Sequence, residues 1–105
     1  MSQPRTSVVI AGVLVLRPGT LDALKPHMLA MIKASRAEPG CLAYAYAIDL
    51  EDPLVVRVHE EWTHREALER HFATAHFKAW RAELSRIGIV SRDLVSWSAA
   101  DPTKV

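Results

Sequence analysis

Residues 7–16, SVVIAGVLVL, are apolar at nearly every position, rich in β-branched side chains, and followed by Arg17-Pro18-Gly19. This reads as a strand closed by a turn. Its alternating sets, Val8, Ile10, Leu14, Leu16 and Val9, Ala11, Val13, Val15, are both apolar. A strand apolar on both sides must be covered on both sides. From Thr20 to about Ala37, Leu21, Leu24, Met28, Met31 and Ile32 recur at helical spacing. Pro26 falls in the second turn, so the helix is expected to bend there or to start there. Residues 41–50, CLAYAYAIDL, alternate Tyr44, Tyr46, Ile48 with Ala43, Ala45, Ala47 and give a second strand. After the Glu51-Asp52-Pro53 turn, residues 54–62, LVVRVHEEW, give a third, forming a hairpin with the second. One face carries Leu54, Val56, Val58, Glu60 and Trp62; the other, Val55, Arg57, His59 and Glu61, is polar.

Thr63-His64-Arg65-Glu66 has the form of a capping box, with Thr63 as the expected cap. The helix that follows points Ala67, Leu68, His71 and Phe72 inward. Thr74 is placed to cap a second segment with Phe77, Trp80, Leu84 and Ile87 on its apolar side, ended by Gly88. Residues 89–99 form a fourth strand, with Val95 and Trp97 on one face, before a polar tail. The order β-α-β-β-α-β is the ferredoxin-like split βαβ, an α+β fold with an antiparallel sheet and its helices on one face. The other face is then left for a second copy of the chain, which accounts for the two-sided apolar first strand.

At 105 residues the chain is expected to be one domain, with its core at about 7–99. The formal net charge of +1 comes from basic residues scattered along the chain, which speaks against a nucleic-acid footprint or a polybasic membrane anchor. One cysteine, Cys41, excludes an intrachain disulfide. MSQPRTS lacks the apolar run of a signal peptide, and residues 8–16 are too few to span a bilayer, so a soluble cytoplasmic protein is expected. No CxxC, HExxH, P-loop or GxGxxG occurs.

The chemistry concentrates in residues 59–77, which hold four of the five histidines. Glu60 shares a strand face with Trp62, and His71 lies on the helix stripe facing the same sheet. A buried carboxylate needs a partner, so Glu60 and His71 are expected to approach. Such a pair fixes the imidazole tautomer and raises its basicity, as a general base requires. A packed, hydrogen-bonded core histidine meets the same pattern, and spacing alone does not separate the two. His76 and Phe77 are expected beside the pocket. Tyr44 and Trp62, each with a polar handle on an apolar ring, are expected as its walls. His64 reads as solvated, His59 as surface or dimer contact, and His27 as exterior. No metal is expected, because His71 and His76 are five apart, off one helical face, with no evident third ligand.

Three further features carry a resemblance: RPG after the first strand (Arg17 to Gly19), EPGCLAY (Glu38 to Tyr44), and E-x-W-x(5)-L-x-x-H-x(4)-H-F, met by Glu60, Trp62, Leu68, His71, His76 and Phe77. With the element order, they make residues 8–97 resemble the antibiotic biosynthesis monooxygenase family, in particular its small quinol-monooxygenase-like members. The resemblance implies a homodimer packed through its sheet faces, a dimeric α/β barrel, with a pocket between sheet and helices in each subunit. It also implies oxidation of a small quinol or polycyclic phenol by O2 with no cofactor. In this reading His71 is the base and Glu60 its orienting partner; Trp62, Tyr44, His76 and Phe77 border a small aromatic substrate. The haem-degrading branch of the family uses Asn, Trp and His at positions that fall here at Gly12, His71 and Arg81, which disfavours haem breakdown. Two other outcomes stay open: a non-oxidative, isomerase-like member, or a dimeric ligand-binding or stress-related module without turnover.

Overall fold

A computed structural model describes residues 6–105, and the expectation that MSQPRTS is no signal peptide falls largely outside the described residues. The elements are β1 (Thr6–Leu16), α1 (Leu21–Arg36), β2 (Cys41–Ile48), β3 (Val55–Trp62), α2 (Arg65–Phe72), α3 (Ala75–Ile87) and β4 (Ile89–Ala100). The four strands form one sheet in the order β2-β3-β1-β4, with every neighbouring pair antiparallel. This is the expected α+β ferredoxin-like arrangement, with the second helical region divided in two at Thr74.

Register decides which side chains meet the helices. Ile10 stands opposite Glu60 on β3 and Ser96 on β4, and Leu14 opposite Val56 and Arg92. On the other edge of β3, Tyr44 faces Glu60 and Tyr46 faces Val58. The alternate residues of β1 and β3 are buried with Leu24, Met28 and Met31 of α1, Leu68 of α2, and Trp80 and Leu84 of α3. Among the described residues, Glu60 and His71 are the buried carboxyl and imidazole side chains within that core.

Local chemistry sets the helix starts, in part differently from the sequence expectation. α1 runs through Pro26 without starting there, and Thr20 stands at its N-cap without a side-chain capping bond: its hydroxyl donates to the Arg17 carbonyl at 2.7 Å. α2 is capped by His64 rather than Thr63. The backbone at His64 is extended, and its Nδ1 accepts the Ala67 N–H at 3.1 Å. An imidazole nitrogen thus does the work expected of a hydroxyl one residue earlier. Thr74 caps α3 as expected, accepting the Phe77 N–H at 3.2 Å.

The turn between α1 and β2 positions part of the site. Gly40 has φ of 86°, and the Thr63 N–H donates to its carbonyl at 2.8 Å. A Cβ at this position would stand 2.7 Å from the Ala67 Cβ and 2.8 Å from the Thr63 hydroxyl. Only glycine suits that conformation and that approach. Because this turn is pressed against the start of α2, Glu38 lies beside the helix that carries His71.

Candidate active site

A cavity of about 190 Å³ lies between the helix-bearing face of the sheet and helices α2 and α3. Its apolar surface comes from residues such as Ile10, Leu14, Phe72, Phe77 and Trp80, and its polar groups are Glu60, Tyr44, Tyr46, Arg65, Arg92 and Ser96. Arg65, Arg92 and Ser96 are exposed and stand on the solvent side, where Arg65 donates to the Ser96 hydroxyl at 3.0 Å. A few convergent polar groups in an apolar shell are the usual make-up of a small-molecule site.

Glu60 is the inner polar group, only 5% exposed. The Trp62 indole N–H donates to its Oε1 at 3.1 Å. Burial pushes the Glu60 carboxyl up to about 7, although the Trp62 hydrogen bond and the Arg92 charge pull the other way. A carboxyl poised there exchanges its proton readily near neutral pH. Tyr44 and Tyr46 join hydroxyls at 2.8 Å beside it, and burial raises both phenols above their ordinary range, so they stay protonated.

The expected Glu60–His71 pair is not formed. His71 Nδ1 meets Glu38 Oε2 at 2.6 Å, and His76 Nε2 meets the same oxygen at 2.8 Å. The reason is the turn described above: Glu38 reaches α2 first, while Trp62 occupies Glu60. His71 is 1% exposed and does not border the cavity; burial lowers its pKa despite Glu38. The neutral imidazole that results donates Nδ1–H to the carboxylate. Its ring lies behind the cavity wall, 4.7 Å from the Trp62 ring, 5.6 Å from Tyr44 and 5.2 Å from Phe77.

Of the expected walls, Tyr44 and Phe77 line the cavity, whereas Trp62 and His76 do not. Trp62 is wholly buried and links the two carboxylates: it donates to Glu60 and packs on His71, which Glu38 holds. Tyr46, Arg65, Arg92 and Ser96 went unselected in the sequence as site residues. The alternation of β2 carried a signal for Tyr46, which shares a face with Tyr44. Nothing local marked the two arginines.

The reasoning that left His71 and His76 without a third ligand is also overturned. Glu38 joins them, and the three donor atoms lie within 4.8 Å of one another. Contacts of 2.6 and 2.8 Å to one oxygen are hydrogen-bond distances. Two tetrahedral ligands of a zinc-sized ion stand roughly 3.3 Å apart, so this set is arranged as a carboxylate shared between two imidazoles.

Comparison with known proteins bears on the family and the fold. A Synechocystis protein, the uncharacterized protein sll1783, is 31% identical over 70 residues, which are 67% of this chain and 48% of that protein. The chain thus spans about half the length of that relative. A solved structure described as an antibiotic biosynthesis monooxygenase is 31% identical, with a TM-score of 0.75 over 93% of this chain and 99% of that one. A Deinococcus radiodurans protein named for the same family superposes with a TM-score of 0.88 at 21% identity, over 93% and 97% of the two chains, and speaks for the fold alone. The family model described as antibiotic biosynthesis monooxygenase matches residues 7–83, from the first strand through most of α3, and the chain belongs to that family.

Proposed function

We propose that the chain is a cofactor-independent monooxygenase that oxidises a small hydroquinone or phenol with O2, and that Glu60 is its general base. The observation that carries this reading is a nearly buried carboxylate, pushed up to about 7, facing an open cavity walled by Tyr44, Phe72, Phe77 and Trp80. Ionised Glu60 takes the phenolic proton. The electron-rich anion passes an electron to O2, and recombination forms a carbon–oxygen bond and a hydroperoxide. Loss of water leaves a ring carbonyl, so one hydroquinone and one O2 give one hydroxyquinone and one water. The protein supplies a base, a cavity walled largely by apolar side chains, and orientation. His71 is a positioning residue in this scheme: held by Glu38, it backs the Trp62 ring whose N–H orients Glu60.

The cavity narrows the substrate. About 150 Å³ suffices for benzene in an apolar protein cavity, so about 190 Å³ suits one substituted ring and at most two fused rings. This favours the quinol end of the expectation over a polycyclic phenol. An open cavity also weighs against a module whose own aromatic side chains fill the space. We further propose that the chain acts as a homodimer through the helix-free face of its sheet, where Val9, Ala11, Val13, Val95 and Trp97 lie together.

The test is O2 consumption with a one-ring hydroquinone and with a naphthohydroquinone. Turnover is expected to survive a chelator and to fall by about 10²-fold or more in Glu60→Gln. Product formation under anaerobic conditions would instead point to the non-oxidative reading, and equal rates in Glu60→Gln and wild type would remove Glu60 as base.

A further inference from the structure

A second cleft, of about 280 Å³, opens beside the first near the C-terminal end of α3. Arg17, Arg81 and Arg92 line it together with Ser85, Gly88 and neighbouring apolar residues, and no acidic side chain does. These arginines come from the β1–α1 turn, α3 and β4, so basic residues scattered along the sequence meet in space. The Arg17 guanidinium packs on Gly88, its carbon 3.4 Å from where a Cβ would stand.

Among the described residues, the arginine side chains that find acceptors are Arg36, Arg57, Arg65 and Arg86. Arg17, Arg81 and Arg92 make no side-chain hydrogen bond or ion pair with any of the described residues. Arg81 and Arg92 are near enough that the charge of one disfavours that of the other. The carbonyl end of α3 offsets only about half a charge. Glu60, across the first cavity, is felt by Arg92. Arg17 and Arg81 remain without an anionic partner. Converging guanidinium forks without counter-charge match a carboxylate or phosphate.

Arg92 lines both clefts. We infer that the arginine-lined cleft holds the anionic group, carboxylate or phosphate, of an aromatic ligand whose ring fills the Glu60 cavity. The identity of the ring rests on the proposed function; the preference for an anion does not. A ligand joined across Arg92 gains the apolar cavity and the guanidinium contacts for one loss of translational freedom.

The experiment measures anaerobic binding to the full chain, by calorimetry, of hydroquinone, of 3-(2,5-dihydroxyphenyl)propanoate and of inorganic phosphate. The carboxylated ring is expected to bind at least about tenfold more tightly than the neutral one, the scale of one charge-assisted hydrogen bond. That preference should shrink as salt is raised. Arg17→Gln and Arg81→Gln, both at exposed positions, should each lower the preference by about tenfold. Phosphate should compete with the carboxylated ring. Equal affinity of wild type for the two rings overturns the inference, as does an undiminished preference in both variants. Tight phosphate binding that leaves the affinity for the carboxylated ring untouched identifies a free-anion site and overturns the tethered ligand. Because no turnover is required, absence of oxidation in the aerobic assay sinks the proposed function and leaves this inference standing.

Discussion

At the scale of single residues, the proposed role of Glu60 sets what to expect of both activity and pH dependence. As a base it must be ionised, so kcat/KM is expected to rise with pH and level off above about 7. The stability sign is the opposite. Its folded pKa lies above the unfolded value of about 4.3, so the folded state holds the proton longer, and stability falls as pH rises through that window. The full effect is about 4 kcal/mol. Relative to wild type, Glu60→Gln should therefore gain up to about this amount between pH 4 and pH 8, read by urea unfolding at each pH. A difference that does not change with pH would place the proton elsewhere. His71 separates the base from its scaffold. His71→Phe keeps an aromatic ring against Trp62 and is expected to retain activity within about tenfold, far above Glu60→Gln, which loses what a general base supplies. The burial of Glu60 and His71 was legible from their positions among apolar neighbours. Their partners were not, because Glu38 lies on a turn 33 residues before His71, and a pairing across that separation depends on how the turn docks.

At the scale of elements, strand alternation and the Thr74 cap follow from the residues themselves, as period-two faces and a hydroxyl at a helix start usually do. The shift of the α2 cap to His64 was not legible, because Thr63 and His64 both offer an acceptor and the choice rests on backbone geometry. Here Thr63 is drawn to the Gly40 carbonyl through its N–H. That contact ties the Glu38-Pro39-Gly40 turn to α2, and it gives the turn a measurable role. Gly40→Ala adds a Cβ at positive φ against Thr63 and Ala67. It is expected to destabilise the chain by about 1–3 kcal/mol, seen as a lower urea midpoint at unchanged slope. If α2 moves to make room, Glu38 draws away from His71 and His76, and their imidazole NMR signals should shift. A midpoint equal to wild type would show that the turn is not held as closely as the packing implies.

At the scale of the whole molecule, the helices cover one face of the sheet and leave the other bare. Val95 is 48% exposed and Trp97 52% exposed. They lie across from Ala11 and Val9; Val13, further along β1, lies across from Asp93, where the apolar strip ends. Beside them, β3 presents Arg57, His59 and Glu61, two of which are already satisfied locally: Arg57 by Asp49 at 2.8 Å and Glu61 by the Ser7 hydroxyl at 3.1 Å. The apolar strip is therefore the part of this face that water solvates poorly, and the same strip on a second copy, related by a two-fold axis, is the complement proposed above. The sequence made this legible through the two apolar faces of β1; the cleft of Arg17, Arg81 and Arg92, assembled from three separate elements, left no such trace. Two measurements follow. Sedimentation should give twice the chain mass, and Tm should rise with protein concentration, because dimerisation stabilises by mass action. Placing a carboxylate in the strip with Trp97→Glu should yield the monomer, since burying that charge in the proposed interface is costly without a partner. Monomeric wild type at micromolar concentration would leave the strip to some other cover and remove the barrel-like dimer from the account. A monomeric Trp97→Glu that keeps its turnover would show that the Glu60 cavity is complete within one chain.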